Sequence, residues 1–191
     1  MKSSAPTLTH VIPSQDRDGV TAVTSLTHVI PSQDRDGVTA VTSLGDDVFV
    51  VRSSGQQVEV YDARTFALQR HITVPGLECS WGLAACAHYK CLYVSDAVHD
   101  SVHRAELSGS SAVKQWSVAR DPRGLSVNMA HRPNVVVACG AAKKIQEYRA
   151  HGTLVREICL QQAGVTSPWH AIQLSTGHYV VSQFMRLVWS V

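Results

Sequence analysis

Long apolar runs are missing from this 191-residue chain: no stretch approaches the ~18 consecutive apolar residues of a membrane-spanning helix. The first six residues include one Lys and no apolar segment, so a secretory signal is not expected. Neither sign of charge dominates, because 17 basic and 15 acidic side chains give a net charge of +2. That balance offers no electrostatic reason for DNA or an anionic membrane to be the main partner. We therefore expect a cytoplasmic protein without a membrane partner.

Cysteine pairs are also lacking. The five cysteines form no CxxC motif and are odd in number, so we expect buried, reduced thiols rather than a disulfide framework. They are Cys79, Cys86, Cys91, Cys139 and Cys159. Hydrophobic residues make up 45% and charged residues 17%, which argues against intrinsic disorder of the whole chain. Met and Phe occur only three times each while valine is abundant, and this β-branched excess favours strands over helices.

Two kinds of internal repeat are present. The first is a perfect 18-residue duplication, in which residues 8–25 recur letter for letter as residues 26–43. Identity of this kind indicates a recent tandem duplication or an error in the gene sequence. Only the second copy continues directly into the rest of the chain, so only that copy can keep its register with the downstream strands. We predict that residues 1–33 form a poorly anchored arm before a domain spanning residues 34–191.

The second repeat is divergent. Four similar units start near Gly37, Gly82, Gly124 and His170, which lie 42 to 46 residues apart, and the chain stops midway through the fourth. Each complete unit contains four short runs: a first strand, a very apolar second run such as 135–138, an alternating third and a more polar fourth. A period of 40–50 residues with four strands per unit is typical of β-propeller blades. We therefore predict an all-β fold, an incomplete β-propeller of four-stranded antiparallel blades.

Two passages carry a family resemblance. Residues 94–103 (VSDAVHDSVH) and 145–158 (IQEYRAHGTLVREI) resemble the conserved stretches of NHL repeats, the units of six-bladed, TolB-like propellers, including invertebrate members of that family. The family's turn aspartate is present as Asp96 but replaced by Gly140 and Gln183 in the next two units. The resemblance implies a repeat protein that binds other proteins. Ubiquitin-ligase activity is not implied, because the RING and coiled-coil regions of such ligases are absent from this sequence.

Length limits what the resemblance implies. Six blades of ~44 residues need roughly 260 residues, whereas about three and a half blades are present. One copy cannot close such a ring, so the chain is a fragment, an open arc of blades or half of a dimeric ring. In each case exposed blade edges offer a route to self-association.

The residues beside each repeat glycine are the favoured candidate site. Equivalent positions in stacked blades meet at one end of the central channel, and Trp and Arg dominate binding hot spots. We predict a partner-binding rim made of Asp36, Trp81, Arg123, Trp169 and His170. The alternative is that Trp81 and Trp169 are structural wedges packed between blades.

A catalytic or metal site is not expected. His99 and His103 are four residues apart but on a turn-to-strand segment, where this spacing does not place both on one face. The carboxylates and amides that a metal-dependent hydrolase or lyase would use (Glu59, Glu78, Asp96, Asn128) are scattered, and neither a G-x-S-x-G elbow nor a phosphate loop is present. We therefore predict no enzyme activity and no cofactor, with a metal-dependent hydrolase or lyase the least favoured alternative.

Basic residues cluster in the third unit. Within 37 residues only Asp121 and Glu147 are acidic, whereas the basic residues are Arg120, Arg123, Arg132, Lys143, Lys144, Arg149 and Arg156. Some NHL propellers bind single-stranded RNA through a positive face, so the alternative function is RNA binding by this unit. Its candidate residues are Arg132, Lys143, Lys144 and Arg149. A normally solvated blade rim would show the same composition.

Overall fold

The computed structural model of the chain describes residues 37–107, 114–128, 131–183 and 186–188. The predicted arm at residues 1–33 and the candidate Asp36 lie outside the described residues. Within the described ranges the chain is built of strands, with no α-helix and one 3-10 turn, Gln161–Ala163. No helix in these ranges is long and apolar enough to cross a membrane.

Fifteen strands form four consecutive antiparallel meanders, and this confirms the prediction of an all-β fold made of β-propeller blades. The first blade contains β1 (Val38–Leu44), β2 (Asp47–Arg52), β3 (Gln57–Asp62) and β4 (Leu68–Thr73). The second contains β5 (Ser80–Cys86), β6 (Cys91–Asp96), β7 (Ser101–Glu106) and β8 (Lys114–Ser117). The third contains β9 (Pro122–Val127), β10 (Val135–Cys139), β11 (Lys144–Tyr148) and β12 (Leu154–Cys159). The fourth contains β13 (Pro168–Gln173), β14 (Tyr179–Gln183) and β15 (Arg186–Val188).

The first strands of successive blades lie side by side. Strand β5 packs against β1 and β9, and β9 packs against β13, which makes these strands the inner wall of an arc. The repeat glycines explain the close approach. A Cβ atom on Gly82 would overlap the carbonyl oxygen of Arg123 and lie 2.9 Å from the amide nitrogen of Leu125. Ser95 links the same strands, because its Oγ accepts from the Gly82 amide and donates to the Arg123 carbonyl, both at 2.8 Å.

Apolar side chains fill the space between blades. The second strands β6 and β10 are buried along their whole length, as expected for strands covered on both faces. Three separate hydrophobic clusters occupy the three spaces between the four blades. The outer strands β4 and β12 are largely exposed, which explains their polar composition.

The five cysteines are free thiols, as the sequence predicts. Cys86, Cys91 and Cys139 are buried in the blades, and burial raises the pKa of Cys139 to about 12, so this thiol stays protonated. The expectation that all five are buried is wrong for Cys159, which is exposed because it ends the outer strand β12, and Cys79 is only half-buried.

Each blade has two distinct ends. We call "linker end" the end with the connections between blades and the hairpins joining second to third strands. We call "hairpin end" the opposite end, where hairpins join first to second and third to fourth strands. Residues close in sequence, such as Lys144 and Arg149 at the two termini of β11, therefore lie at opposite ends of the molecule.

Replacing Gly82 by Ala should destabilise the protein strongly, because the new methyl group meets backbone that cannot move aside. We expect the free energy of unfolding to fall by about 1–3 kcal/mol, the usual cost of overpacking. Urea denaturation followed by tryptophan fluorescence measures it. Gly37→Ala is the matched control, because a Cβ atom there meets nothing within 4 Å. Equal denaturation midpoints for the two variants would contradict the close approach of the inner strands.

Candidate functional site

Three of the predicted rim residues come together at the linker end. Trp81, Arg123 and Trp169 are each the second residue of a first strand, in β5, β9 and β13. The two indole rings meet edge to face, with centroids 5.3 Å apart and an interplanar angle of 83°. The guanidinium carbon of Arg123 lies 4.8 Å from the Trp169 ring centroid. We call these three residues the rim cluster.

Polar contacts hold the Arg123 guanidinium in place within the rim cluster. Its Nη2 pairs with Oδ2 of Asp121 at 2.8 Å, and its Nη1 donates to the Ser167 hydroxyl at 3.0 Å. The guanidinium lies over Gly140, where a Cβ atom would be 2.6 Å from Nε of Arg123. These contacts together restrict the position of the guanidinium.

His170, the fourth described candidate, packs against Gly124 next to the rim cluster. It is half-buried, and its ring lies where a Cβ atom on Gly124 would be. Burial lowers the pKa of His170, which favours the neutral imidazole at neutral pH. The residue therefore contributes shape rather than charge to this end of the molecule.

A further tryptophan packs between two blades. Trp116, on β8, packs between Tyr93 and Tyr148, with ring centroids 6.1 Å from each, and its side chain also lies against Gly152. It thus joins the second blade to the third. Trp81, by contrast, is 36% exposed at the rim. Trp116 could not be recognised from the sequence, because one aromatic in a polar outer strand gives no signal of interior packing.

Asp96 is a fully buried carboxylate that organises the connection into the second blade. It accepts hydrogen bonds from the backbone amides of Glu78 (3.1 Å), Cys79 (3.3 Å) and Val98 (3.0 Å), and lies 2.9 Å from Nδ1 of His99. Burial alone would raise the pKa of Asp96, but the hydrogen bonds outweigh burial and lower it. Both oxygens of Asp96 therefore have partners within the chain, and we call this residue and its partners the Asp96 hub.

The pKa values of the two histidines near Asp96 are shifted in opposite directions. The hydrogen bond with Asp96 raises the pKa of His99, whose side chain is 43% exposed. Burial lowers the pKa of His103, which is fully buried and whose Nε2 lies 3.7 Å from Oδ2 of Asp96. In the described part of the chain, no group of three or more His, Cys, Asp or Glu side chains is placed to hold a metal ion. Glu59 and Asn128 lie in other networks, with Arg52 and with Glu147 respectively.

A second buried carboxylate, Glu147, joins the third blade to the fourth. Its Oε1 accepts from the side-chain amides of Asn128 (2.9 Å) and Asn134 (2.8 Å), and its Oε2 accepts from Arg156 and from the Tyr179 hydroxyl (2.9 Å). Burial would raise the pKa of Glu147, but these donors lower it. This network could not be recognised from the sequence, because a glutamate in an alternating strand normally faces solvent.

The basic residues of the third unit do not form one surface. Lys143 and Lys144 lie at the linker end, and Lys144 is paired with Glu157 at 2.8 Å. Arg132 and Arg149 lie in connections at the hairpin end, where they line one cleft. The four residues proposed to contact RNA are thus divided between opposite ends of the blade.

Comparisons with known proteins support the fold. No protein-family model and no curated protein sequence matches the chain. Among solved structures, hydrazine synthase from Kuenenia stuttgartiensis is similar at 23% identity and a TM-score of 0.66, over 81% of this chain and 44% of that one. A catalytically inactive virginiamycin B lyase from Staphylococcus aureus is similar at 11% identity and a TM-score of 0.66, over 82% of this chain and 52% of that one. The WD40 propeller domain of Doa1 is similar at 10% identity and a TM-score of 0.63, over 79% and 49% of the two chains.

These similarities establish a β-propeller fold, and the chain spans about half the length of the structures that it matches. They do not distinguish NHL repeats from other propeller units. They include enzymes as well as WD40 domains, so they leave the activity open.

The Asp96 hub gives a prediction about stability and pH. Asp96→Asn replaces one of the two acceptor oxygens with an NH2 group, which cannot accept from the backbone amides on that side, and we expect a loss of about 1–3 kcal/mol at pH 7. Because the folded pKa of Asp96 is lowered, its contribution is complete above about pH 4 and is lost as the pH falls through the folded pKa. The variant should therefore lose less stability on acidification than the wild type.

Denaturation curves between pH 3 and pH 7 measure this difference. Asp46→Asn is the control, because its carboxylate is 72% exposed and pairs with an equally exposed Arg64. An NMR titration of His99 gives a second readout, in which the raised pKa should return towards its ordinary value in Asp96→Asn. An unchanged His99 titration would contradict the assignment of Asp96 as its partner.

Proposed function

We propose that the chain is a non-catalytic propeller scaffold that binds a protein partner through the rim cluster of Trp81, Arg123 and Trp169. The observation that carries this proposal is the gathering of two tryptophans and an arginine from three different blades. Trp and Arg are the residues most enriched at the energetic centres of protein interfaces. The family resemblance, which implies protein binding, points the same way.

Preorganisation makes the rim cluster suitable for binding. The Trp81 and Trp169 rings brace each other, and Arg123 is fixed between Asp121 and Ser167. A partner therefore loses little additional conformational entropy when it contacts them. The aromatic faces of the rim cluster can contact apolar or cationic side chains of a partner, and the guanidinium of Arg123 can donate hydrogen bonds at the edge of the contact. An extended loop or tail of a protein fits this chemistry.

The chemistry of the described residues supports a scaffold more than an enzyme. The rim cluster presents indole rings and a paired guanidinium, none of which is a nucleophile or general base at neutral pH. The carboxylate Asp96 is buried and already hydrogen-bonded by backbone amides. A metal-dependent hydrolase or lyase remains the competing proposal, and stoichiometric zinc or calcium in the purified, folded protein would favour it.

RNA binding by the third unit is supported less well by the geometry. A strand of RNA would have to reach Lys143 at the linker end and Arg132 at the hairpin end at once. Salt-dependent retention of the protein on single-stranded RNA, lost when Lys143 and Lys144 are reversed in charge, would restore this alternative.

Truncating Trp81 tests the scaffold proposal. We expect Trp81→Ala to weaken a direct partner at least about 30-fold, the effect of a 2 kcal/mol hot spot. Partners are first captured with the wild-type chain and identified by quantitative mass spectrometry. The dissociation constant of each purified partner is then measured for wild type and variant.

Phe66→Ala is the matched control for this experiment. Phe66 is 39% exposed, close to the 36% of Trp81, but lies in the hairpin between β3 and β4, at the opposite end of the molecule. Partners that bind Trp81→Ala and wild type equally well, or that lose as much affinity with Phe66→Ala, would contradict the proposed site. Thermal unfolding of both variants verifies that each is folded.

A further inference from the structure

A cleft of about 260 Å³ opens between the second and third blades at the hairpin end. Parts of three connections form it: the hairpin between β5 and β6, residues 131–134 before β10, and the hairpin between β11 and β12. Arg132 and Arg149 come from the second and third of these connections, and His88, Tyr89, Asn134 and His151 complete the polar lining. None of the described residues that line the cleft is acidic. The cleft is therefore a concentrated patch of donors and positive charge.

The two arginines are unusual within this chain. Six of the arginines whose side chains are described form an ion pair with a carboxylate: Arg52, Arg64, Arg70, Arg104, Arg123 and Arg156. Among the described side chains, three arginines form no ion pair, and two of these, Arg132 and Arg149, face the same cleft. Two guanidinium groups without an internal counter-ion in one cavity are suited to an external anion.

The connections that carry the cleft are held by contacts behind them. Asn134 donates through its side-chain amide to the buried Glu147 at 2.8 Å, and its backbone amide donates to Oδ1 of Asn128 at 2.9 Å. The hairpin with Arg149 and His151 turns at Gly152, whose φ of +92° and contact with Trp116 leave no room for a side chain. Contacts within the fold therefore hold the backbone on two sides of the cleft.

Glu147, the carboxylate that accepts from Asn134, is not a counter-ion for Arg132 or Arg149. Glu147 lies behind Asn134, is nearly fully buried and is paired with Arg156 on the far side. Arg104, which lies over the Tyr89 ring at 5.9 Å, is likewise paired with Glu106. The charges of Arg132 and Arg149 thus stay uncompensated at the surface of the cleft.

We propose that this cleft binds the dianionic phosphoryl group of a phosphate monoester. A phosphate monoester has a charge of about −1.5 to −2 at pH 7 and three strong acceptor oxygens, which matches two guanidinium groups with further donors nearby. The cavity is smaller than the usual 300–1,000 Å³ of a drug-sized ligand site, so it takes a small charged group. A run of nucleotides needs a longer groove with stacking platforms. The source of the group is a phosphorylated protein side chain or a small phosphate ester.

The test is an NMR titration of the full chain with inorganic phosphate, with a phosphoserine peptide and with the same peptide unphosphorylated. We expect saturable shifts at the hairpin end with the two phosphate-containing ligands and none with the unphosphorylated peptide. Arg132→Gln and Arg149→Gln should each weaken phosphate binding at least tenfold. Tighter binding of the phosphopeptide than of phosphate identifies a phosphorylated side chain as the source, whereas equal binding shows that the phosphoryl group alone is recognised, as a small ester requires.

Arg120→Gln is the matched control, because Arg120 also forms no ion pair among the described side chains but lies in the linker between the second and third blades. It removes the same charge and should leave binding unchanged. If Arg120→Gln and Arg149→Gln lose the same affinity for phosphate, binding depends only on the overall charge of the chain, and the proposal is overturned. Tighter binding of an oligouridylate than of the phosphopeptide would overturn it in favour of nucleic acid. Arg149→Lys, which keeps the charge without the planar fork, tests the site if the glutamine variants fail to fold.

Discussion

The inner strands β5, β9 and β13 approach so closely that a side-chain carbon on Gly82 or Gly124 would overlap the backbone of the next blade. This contact fixes the spacing between blades, and the spacing determines which side chains of neighbouring first strands can meet. Trp81, Arg123 and Trp169 meet because each occupies the second position of a strand whose neighbour is held at backbone distance. Ser126 adds to this wall by donating from Oγ to the carbonyl of Ala171 at 2.7 Å.

Buried polar groups make each space between blades different, although the blades share one pattern. Asp96 and His103 lie in the second blade towards the first, the aromatic side chain of Trp116 joins the second to the third, and Glu147 joins the third to the fourth. A buried carboxylate is costly unless its lone pairs are filled, and here each is filled by several donors. These groups favour one register and one order of blades, because a slipped pairing would leave them unsatisfied.

Much of the fold could be predicted from the sequence because period and strand pattern are local signals. The repeat glycines locate the first strands within two residues, and the apolar runs locate the second strands. The rim could be predicted in part, since equivalent register positions meet in stacked blades. The roles of Glu147 and Trp116 could not, because each depends on a neighbouring blade that sequence alone does not place. The division of Arg132 and Arg149 from Lys143 and Lys144 also escaped prediction, because it depends on which hairpins share an end.

The topology that divides these charges also keeps two chemically different surfaces apart. In an antiparallel meander, every second turn returns to the same end, so residues only a few positions apart alternate between the linker end and the hairpin end. In the third blade this places Arg123, paired with Asp121 against an indole ring, at one end. Arg149, facing a cleft without carboxylates, lies at the other. The same residue type thus has two different surroundings: Arg123 is paired with a carboxylate beside an indole ring, whereas the described lining around Arg149 contains no carboxylate. Because the blade between them is a packed sheet, the two ends are separate surfaces of the chain.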